Sequence, residues 1–339
     1  MKQSKQMTQE NQTLVTELIL LGFSDLSLPW QHFLFSLFLI LYTLTLLGNM
    51  IIFVILTVDP GLHTPMYFFL RNLSVVEICF ISTTVPKMLV NLLIENRSIS
   101  ILGCATQMYF FIFFGVNECL FLAAMAYDRY VAICNPLHYT MVMTKEKCVT
   151  LAGVLWVIGM VFSAGRTSFI FTVPLCRTNV INHFFCDIQP VLRLACIDTF
   201  INGQVTLLSG VLLVLLPFLL IVISYIYILS SIRKISSSEG REKAFSTCTA
   251  HLTSVTLFYG TALLTYLKPR SGYSAERERL FALFYAVIMP MLNPMIYSLR
   301  NKEVKKALRR RIWGKMVLFC EGLCSSTNVF FNSRSRTLY

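Results

Sequence analysis

Charge is scarce in this 339-residue chain: 14% of its residues are Asp, Glu, Lys or Arg, where a soluble globular domain carries about 25%. The shortage is concentrated. Residues 33–58, 148–165, 199–232, 244–267 and 280–299 contain no charged side chain. Each is about as long as, or longer than, the run of about 18 residues that takes a helix across a bilayer core of about 30 Å. Two further runs are only sparsely charged, residues 66–94 (Arg71, Glu77, Lys87) and residues 101–130. Seven such runs exclude a soluble domain and predict an all-α membrane protein, a seven-helix bundle. The first 30 residues lack a signal-peptide core, their longest apolar stretch being 18–23, so the first span is expected to act as its own insertion signal. No histidine pattern accompanies the cysteines, so no metal site is expected. No nucleophile–base constellation is visible, which argues against an enzyme, and no cofactor is expected. A secondary transporter could use Glu77 and Glu118 as a proton or ion relay, but Pro217 and Pro294 do not fall in equivalent segments, and the paired repeats of such proteins are missing.

Residues 104–129 organise the rest. As a helix they span roughly 38 Å, enough to hold Cys104 at one membrane surface and Asp128-Arg129 at the other. An acid beside a base at a helix end is either a two-state latch or an interfacial anchor. Ten of the 29 Lys and Arg lie between Arg300 and Arg336, against Glu303 and Glu321, which places the carboxyl end in the cytoplasm and the amino end outside. The expected layout is an extracellular tail over residues 1–30, the bundle over 31–300, and a cytoplasmic amphipathic helix and tail over 301–339. That basic helix suits the anionic inner leaflet of the bilayer, and no nucleic-acid partner is expected. The sequon at Asn11 is usable on an outer tail, whereas those at Asn72 and Asn96 fall in or against a span and read as chance.

Within the bundle, Gly48-Asn49 suits close helix approach, Pro217 predicts a kink, and Asn293-Pro294 predicts a hinge. Glu77 and Glu118 are acids at hydrocarbon depth, and with Asn49 and Asn293 they are expected to form a buried polar cluster. His251 reads as an interface residue. Four cysteines, Cys104, Cys176, Cys186 and Cys196, belong to the outer side and allow three pairings. Cys320 and Cys324 lie on the inner tail, where palmitoylation is conceivable.

Four longer strings carry a resemblance: Leu62-His63-Thr64-Pro65-Met66-Tyr67-Phe68-Phe69-Leu70, residues 125–139 with Asp128-Arg129-Tyr130 inside, Lys243-Ala244-Phe245-Ser246-Thr247-Cys248-Thr249-Ala250-His251-Leu252, and residues 290–300 with Asn293-Pro294 and Tyr297. In this order, over about residues 20–313, the chain resembles a class II vertebrate olfactory receptor, a rhodopsin-like G-protein-coupled receptor. Glu77 stands where Asp is commoner in that family, and the tail beyond Trp313 is longer than usual. The resemblance implies disulfides Cys104–Cys186 and Cys176–Cys196. It also implies a small hydrophobic volatile odorant bound under the second outer loop, and a plasma-membrane location with the amino terminus outside. The expected lining is Met108, Phe111, Ile112, Gly115 and Cys119 on span three, Ser209 and Leu213 on span five, and Tyr259, Ala262, Leu263 and Tyr266 on span six. A heterotrimeric G protein of the stimulatory olfactory type, raising cyclic AMP, would be the inner partner. Activation would free Arg129 from Asp128 and bring Tyr225 and Tyr297 into an inner crevice.

Overall fold

The computed structural model describes residues 16–175, 178–266, 275–300 and 303–311. Among these, six helices are long and apolar enough to cross a membrane. They are α1 (Leu28–Val58), α2 (Pro65–Leu93), α3 (Ile101–Cys134), α4 (Lys145–Phe171), α5 (Phe200–Arg233) and the apolar part, Arg279–Ile296, of α7 (residues 275–300). Between α5 and α7 runs α6 (Ser238–Tyr266), of similar length but opening on Glu239, Arg241 and Glu242 and carrying many hydroxyl side chains beyond them. A short α8 follows at residues 303–311.

The helices start where local chemistry lets them. Pro29 and Pro65 sit in the first turns of α1 and α2, where a missing N–H costs nothing. Ser100 Oγ accepts the Gly103 N–H at 3.0 Å to open α3, and Thr144 Oγ1 accepts that of Lys147 at 3.3 Å to open α4. Such caps satisfy donors the helix leaves orphaned. Most helices outrun their charge-free cores, because backbone hydrogen bonding does not stop where the hydrocarbon does.

Prolines shape α5 and α7. A proline ring clashes with the carbonyl four residues earlier and offers it no N–H. Ahead of Pro217 the chain widens into a π turn, Val211–Leu215, in which the Leu216 N–H reaches the Val211 carbonyl five residues back. The same device precedes Pro290: π turn Phe284–Ile288, with the Met289 N–H on the Phe284 carbonyl. The kink expected at Pro217 is thus taken up by an extra backbone residue. Pro294 is handled differently. It leaves the Pro290 carbonyl without its helical donor, and Asn49 Nδ2 of α1 supplies one at 3.4 Å. Gly48 makes the approach feasible, since a Cβ there would stand 3.2 Å from that of Pro294.

α3 is the central post, packed against α2, α4, α5 and α6. Phe121 of α3 lies between Phe69 of α2 and Trp156 of α4, with centroids 6.5 and 5.6 Å away. Outward faces are greasy: Leu44, Ile51 and Val54 on α1, Val157 and Val161 on α4, and Leu212, Leu216 and Ile223 on α5 are all exposed. An apolar belt of this extent requires lipid around it.

The end of the bundle nearest β1 (Glu17–Leu20) is closed by chain that falls within the tail expected over residues 1–30. β1 pairs antiparallel with β2 (Ser98–Ser100) and parallel with β3 (Val180–Ile181). Its alternation turns Leu18 and Leu20 fully inward. Gly22 then turns the chain at φ +55°, a conformation that disfavours any other residue. Arg279 of α7 donates to the Gly22 carbonyl and pairs with Asp25 at 3.1 Å. That guanidinium holds the Asp25 carboxyl below the ordinary carboxylate range. At the inner end, Val304 and Ala307 bury α8 against the bundle, while Arg310 pairs with the enclosed Asp59 and lowers its carboxyl likewise.

Candidate ligand cavity and inner contacts

A cavity of about 820 Å³ opens among α3, α4 and α5 beneath the second outer loop. On α3 the wall is Met108, Phe111, Ile112, Gly115 and Cys119, all on one helical face. Ser209 and Leu213 face them from α5. The lid is fixed by the Cys104–Cys186 disulfide, with Cα atoms 5.5 Å apart, and by Gln107 Oε1, which accepts the Cys186 N–H at 2.9 Å. Asp187 ties the lid to α7, accepting the Tyr285 hydroxyl at 3.0 Å. Cys196 is also disulfide-bonded; its expected partner Cys176 lies outside the described residues, although the flanking Leu175 and Ala195 form an antiparallel bridge.

Tyr259 is not part of the wall. It is fully enclosed beneath the cavity, where its hydroxyl donates to the Cys119 carbonyl at 3.3 Å and its ring packs on Phe218 at 5.0 Å. One layer further in, the buried acids meet. Asn293 Nδ2 donates to Oε1 of both Glu77 and Glu118, the latter at 3.2 Å, and Ser254 of α6 donates to Asn293 Oδ1. Glu77, Glu118 and Asn293 are thus in direct contact, and Asn49 joins them beside Glu77 and through the α7 backbone at Pro290.

Below this layer His251 bridges three helices. Its Nε2 lies 3.0 Å from the Leu122 carbonyl on α3, and its Nδ1 lies 2.7 Å from the Tyr225 hydroxyl on α5. A carbonyl can only accept, so Nε2 carries the proton, Nδ1 is bare, and Tyr225 donates to it. At the inner end of α3, Asp128 accepts the Tyr139 hydroxyl at 2.9 Å, and Arg129 Nε is enclosed with no hydrogen-bond partner. Among the described residues no ion pair or hydrogen bond joins Asp128 to Arg129, contrary to what the resemblance implied. Neighbouring positions on a helix point about 100° apart and do not face each other. Burial and the adjacent Asp128 carboxylate push the Tyr139 hydroxyl well up from its usual value, which keeps it a donor.

These contacts have a family context. The family model described as "Olfactory receptor" matches residues 38–315. The chain belongs to the olfactory receptor family. It is 51% identical over 308 residues to olfactory receptor 10A7 of Homo sapiens, covering 91% of this chain and 97% of that protein. It is 53% identical over 302 residues to Homo sapiens olfactory receptor 10C1, covering 89% and 96%. Homo sapiens olfactory receptor 10A4 is 53% identical over 306 residues, covering 90% and 97%. The chain is therefore a multi-pass membrane receptor and not an enzyme.

The receptor's cavity has walls that periodicity did not reveal. Phe162 and Arg166 of α4 line it, as do Thr206 and Gln204 of α5 and Arg193 of the lid. The charge-free run 148–165 stops just short of Arg166, yet α4 continues to Phe171. The spacing of four between Phe162 and Arg166 was the available signal, for an ionisable residue inside a span marks a functional site by default. Asn72, within a chance sequon, accepts the Trp156 indole N–H at 3.3 Å inside the bundle. The side chains of Ala262, Leu263, Tyr266 and Tyr297, and all of Asn11, Cys320 and Cys324, lie outside the described residues.

Proposed function

We propose that the receptor binds a small volatile odorant in the cavity beneath the second outer loop and signals through a heterotrimeric G protein at its inner face, raising cyclic AMP. The observation that carries this reading is the cavity itself, about 820 Å³ with mostly apolar walls and a few convergent polar groups, which suits a small ligand, in a chain of this family. The plasma membrane, with the amino terminus outside, is the location this function requires, and the disulfide-fixed lid agrees with an oxidising outer compartment. Odorant acts by population shift: it must bind the signalling arrangement of helices more tightly than the resting one. Arg129, with its Nε enclosed and unbonded, is the group this reading assigns to the G-protein contact, flanked by Tyr130. Arg129→Ala is expected to abolish odorant-evoked cyclic AMP while antibody labelling of intact cells shows normal surface delivery. Preserved signalling at normal delivery would contradict the assignment.

A further inference from the structure

A second crevice, of about 510 Å³, lies between α2 and α3 at the disulfide-bearing end of the bundle. It shares no lining residue with the ligand cavity, which uses another face of α3. Cys79, Ser82, Thr83 and Lys87 form its α2 wall, and Gly103, Thr106, Phe110 and Phe114 stand opposite on α3, each set along one helical face. Ile99 of β2 closes the top. Thr106 and Phe110 are exposed, so the crevice opens sideways, where a spanning bundle meets lipid. Lys87 is the charged group that lines it. It lies six residues from the end of α2, about 9 Å inward along the axis, and is half-buried. Its ammonium has three donors. One goes to the Ser98 carbonyl at 2.8 Å, and no ion pair among the described residues involves it. A cation at such depth favours an anion beside it.

We propose that this crevice seats one phospholipid of the adjoining leaflet, its phosphate on Lys87 and one acyl chain along Phe110 and Phe114. Phosphate oxygens accept the remaining ammonium N–H groups as charge-assisted hydrogen bonds. Inward of Lys87 the walls suit hydrocarbon. Ser82 and Thr83 donate their hydroxyls back to the Ile78 and Cys79 carbonyls, at 2.6 and 2.9 Å, so they need no acceptor from an occupant. Phe110 and Phe114 stack one turn apart with centroids 6.0 Å from each other, an apolar rail. Lys87 to Cys79 is about 12 Å along the axis and Gly103 to Phe114 about 17 Å, close to half of a hydrocarbon core of about 30 Å. The crevice is therefore one leaflet deep. Gln107 Nε2 donates to the Thr83 carbonyl at 3.0 Å, which sets Thr106 about one turn inward of Lys87. That is the level of the ester oxygens below a lipid phosphate, and the Thr106 hydroxyl can donate to one. A sterol brings no charge for Lys87, and free phosphate brings nothing for the rail. Gln107 also holds the lid through the Cys186 N–H at 2.9 Å, so the lipid seat lies directly behind the anchor of the lid.

The test uses the full chain, purified in a neutral detergent, with a trace of phosphatidylcholine that carries a photoreactive diazirine midway along one acyl chain. After irradiation the labelled peptides are mapped by mass spectrometry. Label is expected on residues 79–83 or 106–114 in excess of the exposed apolar faces of α1, α4 and α5. Unlabelled phosphatidylcholine and phosphatidylglycerol with the same chains are expected to displace it. The matching diacylglycerol, cholesterol and chain-free glycerophosphocholine are each expected to need about tenfold more or to fail, which is about 1.4 kcal/mol. Lys87→Gln is expected to raise the displacing concentration of phosphatidylcholine about tenfold, with Lys87→Arg holding it near the native value. Thr106→Trp fills the crevice and is expected to remove the label while leaving the charge in place. Label spread evenly over the exposed helices shows ordinary surrounding lipid and overturns the proposal. Displacement by diacylglycerol, cholesterol or glycerophosphocholine as efficient as by phosphatidylcholine overturns it too, as does an unchanged Lys87→Gln receptor. Should neither variant fold, the headgroup competition on the native receptor decides by itself.

Discussion

Replacing His251 by phenylalanine tests whether the contacts beneath the polar layer hold the receptor at rest. Phenylalanine keeps a flat ring in a fully buried position but removes the bonds to the Leu122 carbonyl at 3.0 Å and the Tyr225 hydroxyl at 2.7 Å. Each is worth about 1 kcal/mol net, and both connect α6 to a neighbour that must part from it if α6 swings away. Losing about 2 kcal/mol from the resting arrangement alone favours the signalling one by about 30-fold. A receptor resting with about 1 copy in 100 active would then have about a quarter active without ligand. The assay is ligand-free cyclic AMP at graded receptor expression, per receptor labelled at the surface. Leu257→Ala, on an exposed position of the same helix, is the control and should leave basal output unchanged. Unaltered basal output from a normally delivered His251→Phe receptor would refute the latch.

The remaining tests concern the outer face. Cys104 and Cys186 close a loop of 82 residues, a constraint worth about 4.5 kcal/mol in the chain-entropy account; Cys104→Ser is expected to prevent surface delivery, and normal trafficking would show the bridge to be dispensable. The Asp25–Arg279 pair has a defined pH signature, because a carboxyl held low in the folded state stabilises above its unfolded pKa, about 3.9, and loses that stabilisation only as pH falls through its lower folded pKa. Asp25→Asn should therefore lower the thermal midpoint of detergent-solubilised receptor by a similar amount at pH 5 and pH 8, and a difference confined to pH 8 would show that another group is titrating.

Much of this architecture is legible in the sequence, and the parts that are not share a cause. Charge-free runs locate α1, α4, α5 and α7 because burying a charge in hydrocarbon is costly, so composition alone marks the spans. The same rule stops α4 short, since the run 148–165 ends at the first charge, Arg166, whereas the helix runs on to Phe171 with that charge on a cavity wall. The α3 wall follows from its period of three and four. The α4 wall and the lid do not, for they depend on how far α4 runs and on where a loop between cysteines comes to rest. β1 is four residues long, and its partners lie about 80 and 160 positions away, so no local pattern announces it. Asp128 shows the limit of reading neighbours in sequence as neighbours in space: its partner is Tyr139, eleven residues on, because adjacent helical side chains diverge.

Three contacts between α3 and α6 form a ladder from the cavity toward the opposite end of the bundle, and their order gives the receptor a lever. Tyr259 meets the Cys119 carbonyl, Ser254 reaches Glu118 through Asn293, and His251 meets the Leu122 carbonyl. Cys119 lines the cavity, so a ligand there touches the uppermost rung. A tilt of α6 about Tyr259 would displace lower residues in proportion to their distance along the axis. With a rise of about 1.5 Å per residue, His251 lies about 12 Å below that pivot and Phe245 about 21 Å. A tilt of about 10° then moves Ser254 by about 1.3 Å, His251 by about 2 Å and Phe245 by almost 4 Å. The first displacement strains a short side-chain bond that can follow by rotating, whereas the second carries His251 Nε2 beyond hydrogen-bonding distance of the Leu122 carbonyl. A change too small to open the polar layer is thus large enough to release the latch beneath it. Part of the polarity that sets α6 apart from the six apolar helices serves this ladder, since Tyr259, Ser254 and His251 are the groups that make the rungs.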